Sequence, residues 1–139
     1  MQRIEIIQTF PFSVDKLYSF LSDHHNLELI FAPAKIKRIK DGKDSVNGVG
    51  STRWMKLPLA PAFHETVTEA EENKLIRYAI SKGSPLKNHQ GVMHFSETGN
   101  GGSMLHYTIE FEGKLPLVGP VVKAVLDQGI RRGLKKLKL

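Results

Sequence analysis

Leu115–Leu139 reads LPLVGPVVKAVLDQGIRRGLKKLKL, and the spacing of its apolar residues decides the fold. Val118, Val122, Val125, Leu126, Ile130, Leu134 and Leu137 recur at intervals of three and four, which predicts one apolar stripe along a helix. Pro120 suits a first turn, and the basic residues gathered at the far end complement the helix dipole. A helix of about 20 residues is roughly 30 Å long, the width of a small domain. No other stretch predicts a helix of that length, so the rest of the chain must supply the surface that covers this stripe. Gly119, Gly129 and Gly133 each cost about 1 kcal/mol relative to alanine inside a helix. They predict close approach to a backbone or ligand, or simple tolerance in packing.

Working back to the N-terminus, residues 2–10 alternate as a strand with Ile4 and Ile6 on one face. Pro11 and Ser13 end it and cap a short helix, Val14 to Leu21; Ser22 or Asp23 caps a second one through Leu29, which Pro33 stops. Residues 35–40 (KIKRIK) are apolar only at Ile36 and Ile39, which predicts an edge strand protected by lysine. Asp41 to Gly50 is a loop, with Gly48 and Gly50 predicted to flex near an opening. Hairpins follow: Ser51–Lys56, Ala62–Ala70, Lys74–Ser81, His89–Glu97 and Met104–Glu112, joined by turn-forming residues. Strands in a meander with segregated helices read as α+β. At 139 residues the length predicts one domain spanning 1–139.

The turns set the register, and the register sets which side chains share a face. A first hairpin centred on Leu59 places Met55 opposite Phe63, Arg53 opposite Glu65 and Ser51 opposite Val67. A turn at Glu72-Asn73 sets Val67 opposite Tyr78 and Glu65 opposite Ile80. A last turn centred on Asn100 sets Met93 opposite Tyr107, Gly91 opposite Ile109 and His89 opposite Phe111. The longer Ser81–Asn88 connector is taken to pair Ile80 with Gly91 and Tyr78 with Met93. The inward face is then apolar except at Arg53, Glu65, Tyr78, His89 and Tyr107. Charges are seldom buried unless paired, and Arg53 lies directly across from Glu65.

Composition limits the function. Zero cysteines exclude a disulfide framework and thiolate chemistry, and no run of 18 apolar residues exists to span a membrane. The N-terminus lacks the apolar centre of a signal peptide, so a cytoplasmic location is the expectation. The formal charge is +6, but Arg131, Arg132, Lys135, Lys136 and Lys138 supply most of it. Without basic residues interleaved with aromatics, nucleic acid is not an expected partner. Such a tail suits peripheral contact with an acidic membrane surface.

The segment FPFSVDKLYSFLSDHHNL at 10–27, GVGSTRWM at 48–55, FHETVTEAEENKLIRYAI at 63–80 and a Pro116-started terminal helix resemble the START-like (SRPBCC) superfamily. Within it they resemble the polyketide cyclase/dehydratase-like group. The resemblance implies a helix-grip fold, a seven-stranded antiparallel sheet wrapped around the C-terminal helix with two short helices after the first strand. It also implies an internal cavity for a small hydrophobic ligand. Members range from lipid carriers to cyclases, so the fold does not select a function.

A concave apolar surface with a few convergent polar groups is the usual character of a ligand site. The candidate contacts are Arg53, Met55, Phe63, Glu65, Tyr78, His89, Met93 and Tyr107, with Val122 and Leu126 from the helix stripe. Arg53 suits a carboxylate, phosphate or enolate, held in place by Glu65, or else forms a structural pair bracing two strands. The first expectation is binding, with transport or sequestration, of a lipid-like or aromatic molecule. The alternative is a cyclase or dehydratase using His89 or Glu65 as acid/base. His94 and His106 fall opposite each other on the outer face, short of a closed zinc site. No metal or cofactor is expected, and the protein is expected to be a monomer or homodimer.

Overall fold

The sequence QRIEIIQTF forms β1, Gln2–Phe10, and its alternation buries Ile4, Ile6 and Phe10 on one face. The structure is a computed structural model and describes residues 1–58 and 61–139. Helix α1, Val14–Ser22, buries Val14, Leu17 and Leu21; Ser13 holds its N-cap position with extended backbone but no capping side-chain bond. The predicted second helix divides into a 3₁₀ turn, His24–Asn26, and α2, Leu27–Ile30. Asp23 begins that turn by accepting the His25 N–H at 3.0 Å. Six strands follow: β2 (Lys35–Lys40), β3 (Thr52–Lys56), β4 (Phe63–Glu71), β5 (Leu75–Lys82), β6 (Leu86–Glu97) and β7 (Ser103–Gly113). The chain closes with α3, Val118–Lys135, which starts after Leu117 rather than at Pro116.

All strands pair antiparallel in one seven-stranded sheet, in the order β1-β7-β6-β5-β4-β3-β2. Lysine-rich β2 is an edge, as its composition predicts. Helix α3 lies against β1, β7 and α2, while α1 covers β6 and β7. Between them a continuous core includes Leu17, Ile30, Leu105, Ile109, Phe111, Ile130 and Leu134. Each such large side chain, fully buried, contributes about 1.5–3 kcal/mol. Among the described residues no helix is long and apolar enough to cross a membrane.

The register agrees with the sequence reading across β3–β4, where Arg53 meets Glu65 and Met55 meets Phe63. The turn centred on Leu59 lies outside the described residues. Val67 meets Tyr78 and Glu65 meets Ile80 as expected, with a bulge at Thr68 beyond them. Between β5 and β6 the pairing differs: Tyr78 meets Gly91 and Ile76 meets Met93, two residues from the expected register. An even slip keeps every side chain on its face, so the inward set survives. The β5–β6 ladder runs only from Leu75 to Tyr78 on β5, and past Tyr78 the two strands part.

β6 starts earlier than predicted, at Leu86, and bulges between Lys87 and Gln90, where Asn88 has φ 54°. This removes the expected pairing of His89 with Phe111, because a bulge sets extra residues against a single partner position. Two further expectations change. Loop 41–50 is not loose: Gly42 donates to Val46 O, Lys43 to Val49 O and Gly50 to Val67 O. Val125 is exposed, not part of the buried stripe. At 3.6 residues per turn it sits about a quarter turn off the line through Val122, Leu126 and Ile130, and joins Val121 instead. Of the three helical glycines, Gly133 is the one with a structural need. A Cβ there would lie 2.8–2.9 Å from Ile30 and Leu29 backbone atoms, so α2 and α3 meet through it.

Candidate functional site

The inward polar residues form one connected buried network. Arg53 from β3 and Glu65 from β4 are 2% and 5% exposed. Arg53 Nε and Nη2 both donate to Glu65 Oε1, at 2.9 and 2.7 Å. Glu65 Oε2 is left facing His89 Nε2 at 3.7 Å. His89 Nδ1 accepts the Ile80 N–H at 3.1 Å, so in the neutral ring the proton sits on Nε2, toward Glu65. Burial holds the His89 pKa below its ordinary value, Glu65 partly opposing and Arg53 adding to the effect. The bulge before Gln90 thus costs His89 its strand partner yet still turns its ring inward.

Tyr78 and Tyr107 complete the network. Their hydroxyls hydrogen-bond each other, and the Arg53 guanidinium carbon lies 4.6 Å from the Tyr78 ring centroid. Burial pushes both phenols well up from the ordinary tyrosine range, so both stay protonated at neutral pH. The Tyr78 ring occupies space above Gly91, where an added Cβ would sit 2.2 Å from the ring's Cζ. Met55 and Met93 are buried on the same inward side, while Phe63, Val122 and Leu126 are partly buried against the core. All ten predicted contacts therefore point inward, with the polar five in mutual contact.

Two surface grooves lie at the end of the sheet where Lys87 borders both, and one of them reaches the network at His89. The first, of about 270 Å³, opens where β5 and β6 part; Ile80, Leu86 and His89 line it with Lys82, Lys87 and Lys114 around it. His89 is therefore the link between the groove and the buried ion pair. The second, of about 290 Å³, lies beside the start of α3 at Gln2, Leu115, Leu117 and Pro120. The second thus lies between the sheet and the start of α3, but both are open grooves rather than the expected internal cavity, and neither is lined by Arg53, Glu65, Tyr78 or Tyr107.

Residues 1–139 match the family described as polyketide cyclase/dehydrase and lipid transport. The chain belongs to that family. Among curated protein sequences none matches. Within the polyketide cyclase/dehydrase and lipid transport family's fold, solved structures are similar over almost their whole length. A START superfamily protein from Mycobacterium smegmatis is 16% identical, with TM-score 0.78 and coverage of 96% of this chain and 94% of that one. The Aha1 dimer from Colwellia psychrerythraea is 16% identical, with TM-score 0.70 and coverage of 99% and 94%. Norcoclaurine synthase from Thalictrum flavum, bound to a transition-state analogue, is 17% identical, with TM-score 0.65 and coverage of 96% and 94%. At these identities the likeness establishes the helix-grip fold.

Sequence reasoning missed one buried pair in this family member. His24, in the 3₁₀ turn, is 1% exposed; its Nε2 lies 3.1 Å from Ser51 Oγ, itself fully buried. His24 Nδ1 has no hydrogen-bond partner among the described residues. Asn47 Oδ1 receives both the His24 N–H, at 3.4 Å, and Arg38 Nη1, at 2.9 Å, and so ties loop 41–50 to this turn. Ser51 shares the parity of Arg53 but was not counted among the inward polar residues, and His24 lies where no strand register reaches. His94 and His106 do pair across the outer face, and His106 Nε2 sits 2.7 Å from Glu5 Oε2.

Burial, with Arg53, Arg38 and His25 adding to it, lowers the His24 pKa from 6.5 to about 3. The folded state therefore resists a proton that the unfolded chain accepts. Stability is complete above pH 6.5 and falls as the pH drops from there toward 3; His89 acts in the same direction. Between pH 6.5 and 5 the His24 contribution to this loss is about 2 kcal/mol. Urea unfolding at both pH values checks it, and His24→Gln should flatten the pH dependence by that amount.

Proposed function

We propose that the protein binds a small hydrophobic molecule, lipid-like or aromatic and carrying a polar group, for transport or sequestration. The observation that supports this most is the Arg53–Glu65 pair, buried inside an otherwise apolar face. Taking two charges out of water costs several kcal/mol per ion, which a mutual contact offsets only with good geometry and further hydrogen bonds. One Glu65 oxygen takes both Arg53 bonds, leaving Arg53 Nη1 outside the pair for a ligand's polar group. The ligand reaches it past His89 through the groove between β5 and β6. Phe63, Ile80, Val122 and Leu126, only partly buried, are the wall that gives way to its apolar body.

Two measurements test this. Native mass spectrometry of the protein from its own host should show a bound molecule released by organic solvent. Anilinonaphthalene sulfonate, an aromatic probe with an anionic group, should bind saturably to the wild type. Replacing the pair with apolar residues, as Arg53→Met with Glu65→Leu, should weaken the probe at least ten-fold, one charged hydrogen bond being worth about 1.5–3 kcal/mol. Absence of both the co-purifying molecule and saturable probe binding would sink the reading.

A second reading rests on the His89–Glu65 contact. A neutral His89 carrying its proton on Nε2 beside a carboxylate is a usable acid/base pair for enolising a bound polyketone. The fold shared with norcoclaurine synthase, an enzyme, is compatible with it. Turnover of a polyketone that survives replacement of both residues would remove it.

A further inference from the structure

The outward face of α3 carries an apolar patch that the core does not use. Leu117, Val121 and Val125 recur every four residues and are 77%, 61% and 63% exposed; Leu115, just before them, is 68% exposed. Pro120 and Ala124 are exposed on the same side. A solvated helix face normally carries polar residues there. Further along the same exposed line the side chains become basic, at Arg132, Lys135 and Lys136, followed by Lys138. None of these four side chains has a hydrogen-bond or ion-pair partner among the described residues. Asp127, the one carboxylate of α3, is already held by Arg131 at 2.8 Å.

We propose that this face of α3 docks on an anionic lipid bilayer, with Leu117, Val121 and Val125 entering the acyl boundary and Arg132, Lys135, Lys136 and Lys138 at the headgroups. Apolar area and cations on one helix face are the two contributions that bind an interfacial helix to anionic lipid. A second copy of the chain fits the same face poorly. Antiparallel pairing would set the valines of one copy against the cations of the other, and parallel pairing would set cation against cation. The surface lies outside the Arg53 network and stands whether or not that network holds a ligand.

Flotation of the full-length chain with vesicles tests it. The protein should float with vesicles of phosphatidylcholine mixed with phosphatidylserine, not with phosphatidylcholine alone, and less as salt rises. A cation near an anionic surface changes partitioning about five-fold. Arg132→Gln, Lys135→Gln, Lys136→Gln and Lys138→Gln together should therefore lower it several hundred-fold. Val121→Ser with Val125→Ser should lower it roughly ten-fold through lost apolar burial. Both variants should keep the wild-type thermal midpoint, since every altered side chain is exposed. A wild type that stays off the acidic vesicles overturns the proposal, as does a serine variant that floats as well as wild type. A concentration-dependent dimer dispersed by the serine changes, without flotation, would assign the face to a second copy.

Discussion

Glu65→Ala lowers the stability of the fold by about 3–5 kcal/mol, because it strands the Arg53 guanidinium in the core without a counter-charge. Arg53 is 2% exposed, and two of its N–H groups end on that single carboxylate oxygen. The Tyr78 ring beneath it attracts the cation but offers no lone pair in exchange. In a domain of this size such a loss moves the thermal midpoint down by roughly 10–20 °C. Urea unfolding should show a lower midpoint with unchanged slope, since the surface exposed on unfolding stays the same. Arg53→Met combined with Glu65→Leu should regain most of the stability, as apolar replacements of buried ion pairs often do. That double variant separates the pair's part in stability from the ligand contact proposed for it: it keeps the fold and removes both charges. A Glu65→Ala cost under about 1 kcal/mol would mean that water reaches Arg53 freely, as at surface pairs.

Gly91→Val is expected to cost about 3 kcal/mol, by overpacking and by separating the Tyr78 and Tyr107 hydroxyls. An added Cβ would lie 2.2 Å from Tyr78 Cζ and 2.5 Å from its Oη, distances that force the ring away. Tyr78 is 1% exposed, so its ring has no open water to move into. The displaced ring also leaves the face of Arg53 and the neighbourhood of His89, whose ring centroid lies 5.6 Å away. Probe binding should therefore fall together with stability. Gly102→Val, by contrast, stresses a backbone contact with Phe10 O at the far turn. It should lower stability while leaving probe affinity per folded molecule unchanged.

The inward parity of Arg53, Glu65, Tyr78 and Tyr107 was legible because short hairpin turns leave few registers open. The long connector between β5 and β6 does not constrain register in the same way, and there the pairing slipped by two. Alternation made the slip harmless to the face assignment. His89 came out inward for a reason that the sequence did not contain, since the bulge beside Asn88 depends on how β6 and β7 settle against each other. The stripe on α3 was read one residue too wide at Val125, where an apolar residue beside the buried line looks the same in sequence as one on it. Where the grooves lie depends on how far two neighbouring strands diverge, which a residue pattern does not encode.

That divergence has a further consequence. Beyond Tyr78 the Ile80 N–H is taken by a histidine ring instead of by a neighbouring strand, so one side chain stands in for a rung of the ladder. Protonating or swinging that imidazole away would release the rung, and the slit could then unzip downward toward Gly91. Any such widening would spread along the one seam between β5 and β6, with no hinged segment involved.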